Sequence, residues 1–117
     1  LRRSGRAVTG DARKPGVAEV GYARIPLRAA WSLRALGAAV HDGLDTVSVP
    51  VLLATSAHDH VVPSADGDAV WSGIPSGQRQ RVRFADSYHL VPVDEDAQQL
   101  FSDSISFVRH HVLAARP

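Results

Sequence analysis

The chain has 117 residues, 44% of them hydrophobic, and a formal net charge of +1. Length and composition suit one small globular domain with a modest core. The lack of any cysteine excludes disulfides, zinc ribbons, iron–sulfur sites and a cysteine nucleophile. No stretch approaches the roughly 20 apolar residues of a membrane span.

Charge is uneven along the chain. Residues 1–40 hold eight basic and two acidic residues, while residues 41–117 hold five basic and ten acidic ones. The arginines are scattered and not interleaved with stacking aromatics, so they read as a solvated surface rather than a nucleic-acid interface. The sequence starts at Leu1 and contains no Met. Residues 1–10 lack the apolar run of a signal peptide. Together these features lead us to expect a portion of a longer, cytoplasmic protein.

Residues 1–21 are rich in Gly, Arg and small residues, with a turn signal at Pro15-Gly16, and read as irregular. After Pro26, Leu27, Ala30, Trp31, Ala35, Leu36, Ala39 and Val40 recur at helical spacing, and Gly43 ends the pattern. Residues 49–56 form a short apolar run led by Pro50, the pattern of a strand covered on both faces. A polar loop, residues 57–63, precedes a short helix with Ser64 as expected N-cap and Asp66 in its first turn. Trp71 on that helix should be half-buried or face the core.

Gly73, Pro75 and Gly77 then break the chain. Residues 80–85 read as a second strand and residues 86–93 as a loop. From Asp94, the stripe Ala97, Leu100, Phe101, Ile105, Val108 and Val112 marks an amphipathic helix. Asp94, Glu95 and Asp96 at its start, and Arg109, His110 and His111 near its end, suit the helix dipole. We see no internal repeat. Helix, strand, helix, strand, helix implies an α/β protein with a parallel sheet. Two strands make an incomplete sheet, so further strands are expected upstream.

In open parallel sheets the working residues lie just beyond the carboxyl ends of the strands. That rule selects residues 57–63, with His58-Asp59-His60, and residues 85–90, with Asp86-Ser87-Tyr88-His89. An acid, Asp59, and a histidine, His89, would then sit on neighbouring strand ends. A carboxylate beside imidazole fixes the ring's tautomer and stabilises the imidazolium, so that the ring can move a proton. His58 and His60, with His41, His110 and His111, could suggest metal ligands, but no His-x-x-x-His or His-Glu-x-x-His spacing supports a site.

Several segments resemble bacterial carboxylesterases and monoacylglycerol lipases of the α/β-hydrolase superfamily. They are Val49-Pro50-Val51-Leu52-Leu53, His58-Asp59-His60-Val61-Val62-Pro63, Asp86-Ser87-Tyr88-His89 and Val93-Asp94, together with Lys14-Pro15-Gly16-Val17 through Tyr22 and Pro26. The resemblance covers residues 14–112, essentially the C-terminal half of such an enzyme. It implies that residues 1–44 hold part of the cap and a connecting helix, and that residues 45–117 form the C-terminal part of the hydrolase core. It further implies that Asp59 is the acid and His89 the base of a Ser-Asp-His triad, and that Leu27 and Trp31 contact an acyl chain. A small-molecule ester or monoacylglycerol would be the substrate, with no cofactor.

The family's Gly-x-Ser-x-Gly nucleophile elbow is absent, for none of the eleven serines has that frame. The chain alone is therefore expected to be inactive, with the nucleophile upstream. Two alternatives stand beside this reading. One is a non-catalytic remnant or interaction module. The other is a related α/β-hydrolase chemistry that uses an upstream Asp nucleophile. In isolation the chain is expected to self-associate through its unpaired sheet edge.

Overall fold

A computed structural model describes residues 4–114, residues 8 and 76 excepted. Two short strands, β1 (Ser4–Arg6) and β2 (Arg24–Pro26), pair antiparallel with Gly5 opposite Ile25. Helix α1 (Leu27–Asp42) follows directly. A 3-10 turn, Leu44–Thr46, leads to β3 (Val51–Ser56), α2 (Ser64–Gly73) and β4 (Arg79–Phe84). A second 3-10 turn, Val91–Val93, precedes α3 (Ala97–Ala114). Strands β3 and β4 run parallel with Val51 opposite Arg79 and Ser56 opposite Phe84, and α2 is the crossover between them. The expected βαβ unit is thus present, and its register brings both strand ends, and the loops that follow, side by side.

Three local expectations need correction. Residues 1–21 are not wholly irregular, because β1 pairs with a segment twenty residues later. Such a three-residue strand carries no periodicity of its own. Ser64 does not cap α2. The N-cap is Pro63, whose carbonyl accepts the Asp66 N–H at 3.0 Å, and no side chain bonds the helix end. Helix α3 starts at Ala97 rather than Asp94, because Asp94 turns its carboxylate inward and only its carbonyl meets the helix, accepting the Ala97 N–H.

The core among the described residues is small. Leu44, Ile74, Phe84 and Val91 are its buried apolar side chains. Gly73 packs so close to Leu44 that a Cβ there would lie 2.7 Å from Leu44 Cδ1, which is how α2 seats on the turn ahead of β3. No residue of α1 is buried. On α3, Phe101, Ile105, Val108 and Val112 are all exposed. The apolar stripes expected to face a core are present in the sequence, but among the described residues most of their large side chains stay uncovered. The radius of gyration, 16.7 Å, exceeds the about 13 Å of a compact domain of this length. Among the described residues no helix is long and apolar enough to cross a membrane.

Candidate active site

The two loops after β3 and β4 meet as the parallel register requires. Asp59 and His89 are brought together, with His89 Nδ1 2.9 Å from Asp59 Oδ2. The carboxylate is mostly enclosed, at 17% side-chain exposure against 36% for the ring. Its second oxygen, Oδ1, accepts the N–H groups of Val61 and Val62, both at 2.8 Å. This Asx-type turn explains the run Asp-x-Val-Val-Pro: the carboxylate folds its own loop around itself and leaves one oxygen for the ring. Burial pushes the Asp59 carboxyl up. The Val62 N–H, the His89 ring and the Val61 N–H outweigh it and hold the group below the usual carboxylate range. Asp59 is therefore an anion at neutral pH.

With Nδ1 facing the carboxylate, His89 presents its other nitrogen, Nε2, which has no hydrogen bond among the described residues. His89, Asp59, Ser56, Val62 and Val91 line an open cavity of about 340 Å³ that also reaches Gly67 and Val70 on α2. Such an arrangement can take a proton from a hydroxyl on the Nε2 side while the carboxylate stabilises the resulting imidazolium.

The other sequence candidates lie apart from this pair. Leu27 and Trp31 sit on the open side of α1, 39% and 70% exposed, and neither lines the cavity. Trp71 is half-buried as expected, with the Arg79 guanidinium stacked 4.4 Å above its ring. His58 is exposed. His110 and His111 meet edge to face on α3.

Sequence reasoning missed the groups that hold the two loops. Ser56 at the end of β3 donates its hydroxyl to the Ser87 carbonyl at 2.6 Å and accepts the His58 N–H at 2.9 Å. Ser87, fully buried, accepts the Asp96 N–H on its hydroxyl. The His60 and Tyr88 rings meet edge-on, 4.6 Å between centroids. Asp94, 1% exposed, accepts four backbone N–H groups, from Arg13, Lys14, Tyr88 and Glu95. Asp11 contacts both loops at once. A small hydroxyl at a strand end and an acid in a Gly-rich stretch carry no pattern that would single them out. They act through non-local contacts.

This architecture is that of the C-terminal part of an α/β-hydrolase fold. The chain is 31% identical over 105 residues to a thermostable monoacylglycerol lipase from Bacillus sp. (strain H-257), a match that covers 90% of this chain and 42% of that protein. It superposes with a TM-score of 0.90 and 30% identity on a solved structure from a description of two metagenome-derived lipolytic enzymes, over 95% of this chain and 45% of that one. The chain thus spans less than half the length of either relative. No protein-family profile matches the sequence.

Proposed function

We propose that this chain supplies the acid and base of an ester-hydrolysing triad, with the serine nucleophile and oxyanion hole on residues outside it. The observation that carries the reading is the Asp59 Oδ2–His89 Nδ1 contact of 2.9 Å at adjoining parallel strand ends. In this reading His89 Nε2 takes the proton of the attacking serine hydroxyl and returns it to the leaving alcohol. Asp59 holds the ring in the tautomer that this requires.

The substrate class is a carboxylic ester, with a monoacylglycerol favoured by the Bacillus relative. Leu27 and Trp31 would offer the acyl chain an apolar surface on α1, which packs against the cavity-lining helix α2. Residues 1–44 would belong to the cap and residues 45–117 to the hydrolase core. The exposed stripe of α3 is what the remaining strands of such a core would cover. Alone, the chain would turn over no ester by this route, and its open apolar faces would favour self-association.

The test is to place these residues in frame behind the strands and Gly-x-Ser-x-Gly elbow of the Bacillus relative and assay a short-chain ester. Turnover is expected, and Asp59→Asn should lower kcat by about 10⁴-fold, as the same change does in serine proteases. A chimera that melts cooperatively yet hydrolyses no ester overturns the proposal. So does one whose turnover survives Asp59→Asn.

A further inference from the structure

A carboxylate and an imidazole on two separate loops stay in register only if something fixes one loop against the other. Asp11 comes from a third segment and reaches both. Its Oδ2 accepts the N–H of His60 at 3.2 Å and the N–H of His89 at 3.1 Å. Its Oδ1 lies 2.8 Å from His60 Nδ1. Its main-chain carbonyl accepts the Leu90 N–H at 3.2 Å.

These four contacts fall on the residue after Asp59, on His89 itself and on the residue after His89. The Asp11 side chain is 13% exposed, against 60% for His60. The carboxylate is therefore enclosed between the loops rather than resting on their surface. The chain enters this position through Gly10, whose φ of +74° suits glycine and few other residues. The Gly10 N–H is taken by the Glu19 carboxylate at 2.8 Å. Two and three residues on from Asp11, the Arg13 and Lys14 N–H groups anchor the same segment to Asp94.

We infer that Asp11 is a positioning residue that locks the Asp59 loop to the His89 loop, so that the ring and the carboxylate are held at hydrogen-bond distance before any substrate binds. This inference rests on the acid–base reading of Asp59 and His89. Asp11 bonds no atom of the Asp59 carboxylate and only the backbone of His89. It acts on the main chain that carries them. Burial pushes its own carboxyl up, but the His60 ring, the His60 N–H and the His89 N–H outweigh this and hold it low, so a full negative charge faces all of these donors. Charge-assisted bonds of this kind are the stronger sort.

The test reads the Nδ1-bound proton of His89 by nitrogen-edited proton NMR in the chimera described under the proposed function, where the upstream strands complete the sheet, together with its exchange with water. In the unaltered chimera the proton should be visible, and Asp59→Asn should abolish or strongly shift it. Asp11→Ala should erase it or speed its exchange at least about tenfold, the equivalent of about 1.4 kcal/mol, a typical net hydrogen bond. Asp11→Asn, which keeps one oxygen acceptor, should have a smaller effect. Asp68→Asn, which removes only a surface ion pair with Arg81, should have none.

If Asp11→Ala folds, melts at lower temperature and leaves the proton unchanged, Asp11 is merely structural and the inference is overturned. If Asp11→Ala does not fold, Asp11→Asn decides: faster exchange supports the positioning role and unchanged exchange overturns it. If the unaltered chimera melts cooperatively yet lacks the proton signal, or if Asp59→Asn leaves it untouched, the acid–base reading itself fails and the positioning role fails with it.

Discussion

Replacing His89 by Ala, in an ester hydrolase built from these residues behind a serine nucleophile, is expected to lower kcat by on the order of 10⁴- to 10⁶-fold. In serine hydrolases the triad acts as a unit, and loss of the base alone removes nearly all of its contribution. The geometry argues that the fold survives. The His89 ring is 36% exposed, and among the described residues its side chain is hydrogen-bonded to Asp59 alone. The His89 backbone N–H, which Asp11 holds, is unchanged by the substitution. Asp59 keeps the Val61 and Val62 N–H groups on its other oxygen, so its charge is not left bare.

The loss should therefore fall on kcat and not on Tm. Imidazole added to the His89→Ala protein should restore part of the rate, since a small base can enter the open cavity that His89 lines. Turnover within about tenfold of the unaltered protein would sink the triad assignment. A drop in rate matched by cooperative loss of the fold would show that His89 is a structural ring.

Much of this site was legible because its chemistry is local in sequence. The run from Asp59 to Pro63 encodes its own turn, and the carboxylate bonds residues two and three positions ahead. The parallel pairing of β3 and β4 was readable from an apolar run and a partly alternating one separated by a short helix, and it puts Asp59 and His89 at adjoining strand ends. The groups that hold the loops rigid were not legible. Asp11 acts 49 and 78 residues away along the chain, on His60 and His89. Asp94 reads in the sequence as one of three acids at a helix start, yet only Asp94 is buried and none of the three lies in the first turn of α3. Periodicity finds faces of helices and strands, whereas a buried carboxylate is defined by which backbone N–H groups converge on it, and that is a property of the assembled chain. The apolar stripes of α1 and α3 mark the opposite case. Their pattern is clear, yet among the described residues most of their large apolar side chains stay exposed.

That convergence makes Asp94 the residue whose loss should cost the fold most. Its Oδ2 accepts the Arg13 and Tyr88 N–H groups, both at 2.8 Å, and its Oδ1 accepts those of Lys14 at 2.7 Å and Glu95 at 2.9 Å. In Asp94→Asn one of these oxygens becomes an NH2 group. Whichever it is, two backbone N–H groups then face a donor instead of an acceptor. Each buried polar group left unsatisfied costs about 1–3 kcal/mol, which puts the change at about 2–6 kcal/mol. Small domains are stable by only about 5–15 kcal/mol, and here few apolar side chains are buried, so urea unfolding should show a much lower midpoint at an unchanged m-value.

The pH dependence separates this cause from a general loss of packing. Burial pushes the Asp94 carboxyl up, but the four N–H donors prevail and hold it below the usual range. A carboxyl lowered on folding contributes stability above its unfolded pKa of about 3.9, and that contribution is lost as pH falls through the folded value. The gap between the unaltered chain and Asp94→Asn should therefore be flat at neutral pH and narrow below about pH 4, as the native carboxyl takes up its proton. Asp11 and Asp59 are lowered in the same sense. Both proteins should lose stability in acid on their account, without altering the gap. A gap that stays constant down to the acid limit would mean that Asp94 stabilises the chain by its shape and not by its charge. A midpoint shift of less than about 0.5 kcal/mol in ΔG, within the range of an ordinary surface substitution, would mean that the four N–H groups find other acceptors.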